Sequence, residues 1–415
     1  MTKRLILIVF ILFTVITTAQ ERTSSPYSFY GIGLNTFRGT VENKSMGGLS
    51  VFSDSIHLNL TNPAGYGKLA LTTYSLGASH SSVKMESDTE SGTARNTTLD
   101  YLAIGIPAGK LGFGFGLIPY SSVGYDIMNV DEEMGEAQRF SGKGGLNKVF
   151  LSAGYEITPH LSLGVDVNYN FGNIQNKAIV LQEGVEYGSR EINRSDLGGF
   201  TYKIGLDYER MLNEDLQFRF GASFSPETNL SSENRRELAS IVYLQTGQEL
   251  TVNKRDISVA DSDLSLPANL TIGTGIGNPR KWFLGVEYSS IGEGDYSNRT
   301  FALEGASYGT AAQYRVGGFF VPDYSSLTSY FNRVVYRGGF RMEETGLSLN
   351  GEDINEFGIS FGVGLPAGRM LSNVNLGFEY GQRGTTNSGL IQESFFNAMI
   401  SLSLNDRWFI KRKFE

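Results

Sequence analysis

The segment from residue 161 to residue 172 alternates strictly between apolar residues and polar or small ones. Every second residue is apolar or aromatic, namely Leu161, Leu163, Val165, Val167, Tyr169 and Phe171. Successive side chains of a β-strand point to opposite faces, so such a strand has one apolar and one polar face. Its length matches the roughly 9–11 residues that a tilted strand needs to cross a bilayer. The apolar face can meet a soluble core or lipid, and the rest of the chain decides between them.

The same alternation recurs from about residue 69 to residue 405. Its segments lie near residues 69–85, 96–106, 111–117, 149–157, 161–171, 200–208, 216–224, 266–272, 282–288, 314–320, 334–340, 357–365, 374–380 and 396–404. This gives about fourteen strands, and an even number is typical of single-chain bacterial barrels. No stretch has the helical periodicity that a βαβ fold requires.

The links between these segments alternate in length. Short links fall at 107–110, 158–160, 212–215, 277–281 and 366–372, with a medium one at 322–333. Long polar links fall at 86–95, 126–146, 178–196, 231–263, 291–310, 343–355 and 383–393. Short periplasmic turns and long external loops are typical of an outer-membrane barrel and not of a soluble sandwich. We therefore predict an all-β fold, an antiparallel transmembrane β-barrel of about 14 strands at residues 69–405.

The two ends of the chain differ from the barrel. Residues 1–19 have a charged start, an apolar run and small residues before Gln20, as in a secretory signal peptide. Residues 406–415 form an aromatic and basic C-terminal tail, and both side-chain types suit a membrane interface. The predicted location is therefore the cell outer membrane, reached by export and surrounded by outer-membrane lipid.

Residues 20–68 lack the alternation, yet they are rich in aromatic residues and glycine. This composition is too apolar for a disordered leader. We predict that they form an N-terminal plug inside the lumen, in which Tyr27, Phe29, Phe37 and Met46 pack on inward aromatic residues of the wall. Asn62 and Pro63 are predicted to form the turn into the first strand, since proline restricts the preceding residue to extended or turn conformations.

Composition excludes several functions. The chain has no cysteine, which excludes disulfides, thiolate metal sites and a lipid-anchored cysteine. It has three histidines, far apart in sequence, so no metal site is predicted. The net charge is −8 without a basic block, which argues against nucleic acid as a partner. The glycine-rich runs lie inside strands and not at strand-to-helix turns, and no nucleophile has an evident base. We predict neither an enzyme nor a cofactor.

The parity of the strands predicts which side chains face the lumen. Charged residues on the inward parity are Asp166, Lys203, Asp207, Glu209, Arg219, Glu287, Arg315, Arg337 and Arg341. In lipid a basic residue would cost roughly 2–4 kcal/mol at the midplane, so these side chains should point inward. They form either a structural charge network or, in part, a site for an anionic head group.

Several large apolar residues also fall on the inward parity. They are Phe150, Phe283, Phe319, Phe395 and Met399. They could line an apolar ligand pocket together with Arg315 and Arg337, or they could pack against the plug. The two roles are compatible, because a pocket beneath a plug needs both.

Short N-terminal motifs resemble a known family. Ser45-Met46-Gly47-Gly48, Asp54-Ser55 and Asn62-Pro63-Ala64-Gly65 are similar to the hatch signature of the FadL family of outer-membrane hydrophobic-compound transporters. The resemblance implies a fourteen-stranded barrel with an N-terminal plug. Residues 117–125 and 334–340 resemble a divergent branch of FadL-like barrels, which is also similar to the shuttle barrel of type 9 secretion.

Two functions follow from this resemblance. The first is passive uptake or binding of hydrophobic small molecules, with a hydrophobic or fatty-acid-like ligand. The alternative is a non-transporting barrel that is a subunit of an outer-membrane protein assembly or secretion complex, with other proteins of that complex as partners.

Overall fold

The computed structural model describes residues 23–131, 133–244, 246–279, 281–293, 305–367 and 372–407. The predicted signal peptide and nearly all of the predicted C-terminal tail lie outside these residues. No helix in the described ranges is long and apolar enough to cross a membrane.

The described residues form one antiparallel sheet of twenty strands. The strands are β1 (Leu34–Asn35), β2 (Thr72–Glu86), β3 (Ser91–Ala108), β4 (Leu111–Pro119), β5 (Ser121–Asp131), β6 (Glu136–Thr158), β7 (Leu161–Gln182), β8 (Gly188–Met211), β9 (Gln217–Ser225), β10 (Thr228–Tyr243), β11 (Glu249–Ile257), β12 (Ser262–Leu266), β13 (Asn269–Asn278), β14 (Trp282–Ile291), β15 (Ala306–Tyr308), β16 (Ala311–Phe320), β17 (Val335–Leu349), β18 (Glu352–Pro366), β19 (Asn373–Arg383) and β20 (Gln392–Asp406). A four-residue α-helix spans Val41–Lys44, and short 3-10 helices span Pro26–Phe29, Pro63–Lys68, Phe331–Arg333 and Asn387–Gly389.

The sheet closes into a barrel because β2 pairs with β20 along its whole length. Strand β1 lies inside, and several wall strands are interrupted: β4 continues as β5, β9 as β10, β11 and β12 lead into β13, and β15 leads into β16. The described wall thus crosses fourteen times, and the predicted fold class, an all-β barrel of about fourteen strands with a plug in its lumen, is confirmed.

The outer surface carries an apolar band, as the alternation predicts. Val165 is 45% exposed and Phe361 63% exposed on this surface. Large aromatic residues border the band, with Trp282, Phe320 and Tyr336 at one margin and Tyr169, Phe200, Tyr288 and Tyr314 at the other. Aromatic girdles on both sides of an apolar band are the arrangement of transmembrane barrels.

The links are shorter than the sequence predicts at one end of the barrel. We call the end with the turns at Gly109 and His160 the turn end, and the opposite end the loop end. Strands β6, β7 and β8 have 23, 22 and 24 residues and continue far beyond the apolar band. The long links predicted at 86–95, 126–146, 178–196, 231–263 and 343–355 are therefore wrong, because most of their residues are strand. Beyond the band the sheet no longer faces lipid, and apolar side chains such as Ile179, Ala239 and Ile241 pack among themselves, so the strict apolar alternation that marks a membrane-spanning strand disappears.

Residues 23–71, which we call the plug, run through the lumen from the loop end to the turn end. Near the loop end Tyr27 packs on Leu347, Leu349 and Ile354. Near the turn end the 3-10 helix Pro63–Lys68 lies against the wall, and Thr72 then begins β2.

Glycines in the wall make room for this helix. An ideal Cβ on Gly112 would lie 1.8 Å from the carbonyl oxygen of Tyr66, and one on Gly164 would lie 2.2 Å from the carbonyl carbon of Pro63. The glycine-rich strands thus allow the plug backbone to approach the wall backbone, as glycine in a strand often does.

Candidate functional site

Ion pairs fasten the plug to the wall along its length. Arg38 Nη2 lies 2.8 Å from Glu356 Oε1 of β18. Lys44 Nζ lies 2.8 Å from Asp100 Oδ2 of β3. Lys68 binds Asp207 and Glu209 of β8. All of these side chains are at most about one-fifth exposed. Removing one partner of a buried pair leaves an uncompensated charge at a cost of roughly 3–5 kcal/mol, so these contacts hold the plug in one position.

Hydrogen bonds add further anchors in the middle of the plug. Glu287 of β14 accepts from both the backbone N–H and the hydroxyl of Ser50, at 2.8 and 2.7 Å. Arg219 of β9 donates to the carbonyl oxygen of Ser53. Asn375 of β19 donates to Glu42 at 2.8 Å. The plug is thereby tied to strands on opposite sides of the barrel.

A second charge network lies in the wall itself, near the loop end. Arg341 binds Glu379 at 2.6 Å and also Glu356, while Arg383 binds Glu356 and, at 2.9 Å, Glu393. The carboxylates thus outnumber the two wall arginines, and Arg38 of the plug supplies a further positive charge. The plug therefore completes the charge balance of this network.

A cavity of about 650 Å³ opens at the turn end between plug and wall. One side is aromatic. The ring of Phe52 lies 5.0 Å from Phe283 and 4.9 Å from Phe319. The other side is charged, with Lys68, Glu209 and Arg337 among its lining residues. Arg219 joins the two sides, because its guanidinium lies 4.4 Å from the centre of the Phe52 ring. This combination suits an amphipathic molecule.

An acid–histidine pair borders the same cavity. His57 Nδ1 lies 2.7 Å from Asp54 Oδ2, and His57 Nε2 lies 3.2 Å from the amide nitrogen of Asn373. Burial opposes the charged forms of both groups, but their mutual attraction outweighs it. The pKa of Asp54 is lowered to about 2 by the charge and hydrogen bond of His57 and by backbone N–H groups. The pKa of His57 is raised by Asp54 and, more weakly, by Glu42.

The wall is interrupted between β3 and its neighbour. Strand β3 pairs with β4 only up to Leu102 opposite Leu117. Beyond that point β5 turns inward and pairs with β1 of the plug at Ser121 and Ser122. Plug residues occupy the gap: the hydroxyl of Ser28 bonds to the backbone of Gly124, and Ser24 lies 3.5 Å from Asn96 of β3.

The structure separates the residues that the sequence grouped as one ligand site. Phe283, Phe319 and Arg337 line the turn-end cavity. Arg315 lines a second cavity of about 140 Å³, and Phe395 and Met399 line a third of about 120 Å³. Phe150 lines none of these three cavities, because it packs in an apolar cluster with Leu58 and Tyr66 of the plug. Only part of the predicted set therefore shares one cavity.

The predicted plug residues lie at different heights along the barrel and contact different clusters. Phe37 packs on the cluster that holds Phe150, and Met46 packs with Phe283. Tyr27 and Phe29 pack on other residues than the inward phenylalanines predicted for them: Tyr27 packs with Leu347, Leu349 and Ile354, and Phe29 meets Tyr125 edge-on at 5.1 Å.

Asn62 and Pro63 take the predicted position before the first barrel strand. Asn62 caps the 3-10 helix by accepting from the N–H of Ala64 at 3.1 Å, and its amide donates to the carbonyl oxygen of Leu206 at 3.0 Å.

Sequence reasoning missed several residues of these networks. Phe52 and the basic plug residues have no local pattern that identifies them. Glu356 and Glu379, in contrast, lie on the inward parity of β18 and β19, so the same parity rule could have found them. Among the described residues no group of three acidic, histidine or cysteine side chains is placed to hold a metal ion.

Comparison with solved structures identifies the same architecture. The toluene transporter TbuX of Ralstonia pickettii superposes with a TM-score of 0.60 at 16% identity, covering 89% of this chain and 99% of that chain. The toluene transporter TodX of P. putida gives 0.58 at 14% identity, covering 89% and 99%. A FadL homologue of Pseudomonas aeruginosa gives 0.57 at 11% identity, covering 90% and 98%. At these identities the likeness shows the fold alone, and it confirms the predicted FadL-like fold.

No curated protein matches the sequence. The matches do not confirm the resemblance to the type 9 shuttle barrel, which stays a prediction. The model of the BamG family, in contrast, matches residues 1–415, which is the whole chain. The protein therefore belongs to the BamG family.

Proposed function

We propose that this protein is a plugged outer-membrane barrel that acts as a protein-binding subunit of an outer-membrane assembly. One observation carries the proposal: a sheet of six paired strands, β5, β6, β7, β8, β10 and β11, continues far beyond the apolar band at the loop end. On β7 the last band residue is Phe171 and the strand ends at Gln182. These residues span roughly 35 Å along the strand.

This extension exposes apolar side chains where lipid cannot cover them. Val185 is 54% exposed, Tyr187 46% and Val130 56%. Exposed apolar groups of this kind are typical of protein interaction sites.

The closed lumen favours the same function. Ion pairs and hydrogen bonds from opposite walls fix the plug, and plug residues fill the gap beside β3. An open route for solutes would require most of these contacts to break together. The outer-membrane location rests on the barrel fold together with the signal-like residues 1–19.

Mild extraction from the native membrane tests the proposal. We expect the protein to leave the membrane with stoichiometric protein partners, measured by native mass spectrometry. The purified chain should also migrate differently in gels before and after boiling, as integral barrels do. Recovery of the chain alone, without any protein partner, would contradict the proposed function.

Binding of a hydrophobic small molecule is a second candidate function. The turn-end cavity favours it, because the Phe52, Phe283 and Phe319 rings face Lys68, Arg219 and Arg337 within one volume of about 650 Å³. TbuX and TodX are toluene transporters, so a hydrophobic compound is a suitable class of probe.

Two ligands, dodecanoate and toluene, test whether the cavity prefers an amphipathic or a purely apolar molecule. We expect dodecanoate to bind more tightly than toluene in calorimetry of the detergent-solubilised chain, because only dodecanoate has a carboxylate for the basic residues. Replacing Phe283 and Phe319 together by alanine should weaken binding about tenfold or more. Phe361→Ala is the matched control, since that ring lies on the outer surface. Equal loss in both variants would contradict binding in the cavity.

A further inference from the structure

Strand β5 has one edge without a strand partner. It pairs with β6 from Val123 to Asp131. Its other edge pairs with β1 only at Ser121 and Ser122, and Gly124 bonds to the Ser28 side chain. From Tyr125 to Asp131 no further strand pairs with this edge within the residues that the structure describes. Unpaired backbone N–H and C=O groups in a row are a template for another strand.

The free edge lies beyond the apolar band. Met128 lies opposite Arg139, which lies opposite Ile179 of β7. Ile179 is eight residues beyond Phe171 in the sequence, or roughly 26 Å along the strand. Membrane lipid therefore does not cover this edge.

The side chains along this edge are apolar and exposed. Met128 is 67% exposed and Val130 56%, and Met134 in the following turn is 70% exposed. They alternate with Asn129 and Asp131, so one face of the edge is apolar.

The strand at the opposite edge of the same extension, β11, differs from β5 because it is protected against the addition of another strand. Strand β11 pairs only with β10 in the described part of the chain, but it carries exposed Lys254, Arg255 and Asp256. Charged side chains on an edge are a common protection against strand addition. The β5 edge has no lysine or arginine between residues 121 and 131.

The charges around the free edge are acidic. Asp131, Glu133 and Glu136 surround the β5–β6 turn, and Glu183 and Glu186 lie in the neighbouring β7–β8 turn. The basic side chain of Arg139, on the neighbouring strand β6, is already paired with Asp126 at 2.5 Å. A segment that adds to this edge is therefore favoured if it is basic.

We propose that an extended segment of a partner protein, with apolar and basic residues, adds as a β-strand to residues 125–131 of β5. This inference rests on the proposed function and names the surface through which the assembly forms. Main-chain hydrogen bonds give such strand addition its affinity, and the alternate side chains give it specificity.

The test compares three forms of the full chain extracted in mild detergent from the native membrane. The edge variant replaces Met128 and Val130 by lysine. The control variant replaces Leu250 and Val252 of β11, which are 45% and 54% exposed, by lysine. We expect the wild type and the control variant to retain the partner. The amount of partner recovered with the edge variant should be at least tenfold lower. The gel shift on boiling verifies that each barrel is folded.

Hydrogen exchange supplies a second readout that needs no variant. Alternate amides between residues 125 and 131 should exchange at least tenfold more slowly in the wild-type assembly than in the same chain stripped of partners. Raising the salt concentration should weaken retention, because surface charges are screened. Retention that is independent of salt would contradict the basic character of the partner.

The outcomes separate this inference from the function on which it rests. If the wild type is recovered alone, the proposed function fails. If the wild type has partners but the edge variant keeps them, or the β5 amides gain no protection, only the strand addition is overturned. If the sole partner is a second copy of this chain, the assignment to a different protein is overturned.

Discussion

At the scale of single residues, the Asp54–His57 pair makes the turn end of the plug sensitive to pH. The pKa of His57 is raised above its usual 6.5, so its contribution to stability is complete below pH 6.5 and is lost as the pH rises through the raised value. The pKa of Asp54 is lowered from 3.8 to about 2, so its contribution is complete above 3.8 and is lost as the pH falls toward 2. The pair is therefore strongest between about pH 4 and 6.5.

We expect the amides of residues 53–57 to be less protected from hydrogen exchange at pH 8.5 than at pH 6, after correction for intrinsic rates. Loss of the His57 charge weakens its bond to Asp54 and leaves Arg337 and Glu42 as the nearby charges. His57→Gln should remove most of the difference between the two pH values. An unchanged difference in this variant would assign the effect to another group.

The hydrogen-bond partners of the inward charged side chains were only partly predictable from the sequence. The inward position of Arg219 or Glu287 follows from strand parity, because a charge on the outer face would meet lipid. The partners of these residues do not follow, since Arg219 bonds to Ser53 and Glu287 to Ser50, both in a segment without alternation. Closure of the barrel and the path of the plug bring these groups together.

At the scale of the strand, a valine-to-arginine substitution should reduce the stability of the barrel by different amounts at different heights along the wall. Val165 and Val252 are 45% and 54% exposed, but Val165 lies in the apolar band and Val252 on the extension. Val165→Arg should destabilise the barrel by roughly 2–4 kcal/mol, because the charge would face lipid. Val252→Arg should change stability by less than about 0.5 kcal/mol, because its side chain is in water. Urea unfolding in lipid vesicles measures both, and equal costs would mean that the band is misplaced.

Strand parity alone suggests a different control, namely Ser162→Arg on the lumen face of β7. The structure makes that choice unsuitable. Ser162 is fully buried, and the plug residue Pro63 lies against its neighbour Gly164. An arginine there would clash with packed atoms, so it would test overpacking and not the membrane.

Strand length is the element-scale property that the sequence predicted least well. Residues 173–182 of β7 have mixed polarity, and the sequence pattern therefore predicts a loop from residue 178 onward. The paired strands β6 and β8 hold them extended through backbone hydrogen bonds, which do not depend on side-chain polarity.

At the scale of the whole molecule, the plug decides whether the barrel is open. Deleting residues 26–61 removes Arg38 and Lys44, and with them their ion pairs to Glu356 and Asp100 of the wall. Glu356 and Asp100 would then face a water-filled lumen, so the wall should still insert. We expect the deletion variant to conduct ions in planar bilayers at several times the level of the intact chain. The same low conductance in both proteins would show that this segment does not close the lumen.

The sequence by itself determined the fold class, the approximate number of strands and the face of each strand that meets lipid. These properties have a local cause, because a residue in a bilayer-spanning strand reports its face through its own polarity. Only the tertiary structure decided the path of the plug, the division of the inward residues among three cavities, and the sheet that continues beyond the band. Arg38 and Glu356 are 318 positions apart, and nothing local marks them as partners. The free edge of β5 has the same origin, since it exists only because β5 turns inward to pair with the plug at Ser121 and Ser122 and does not pair with β3.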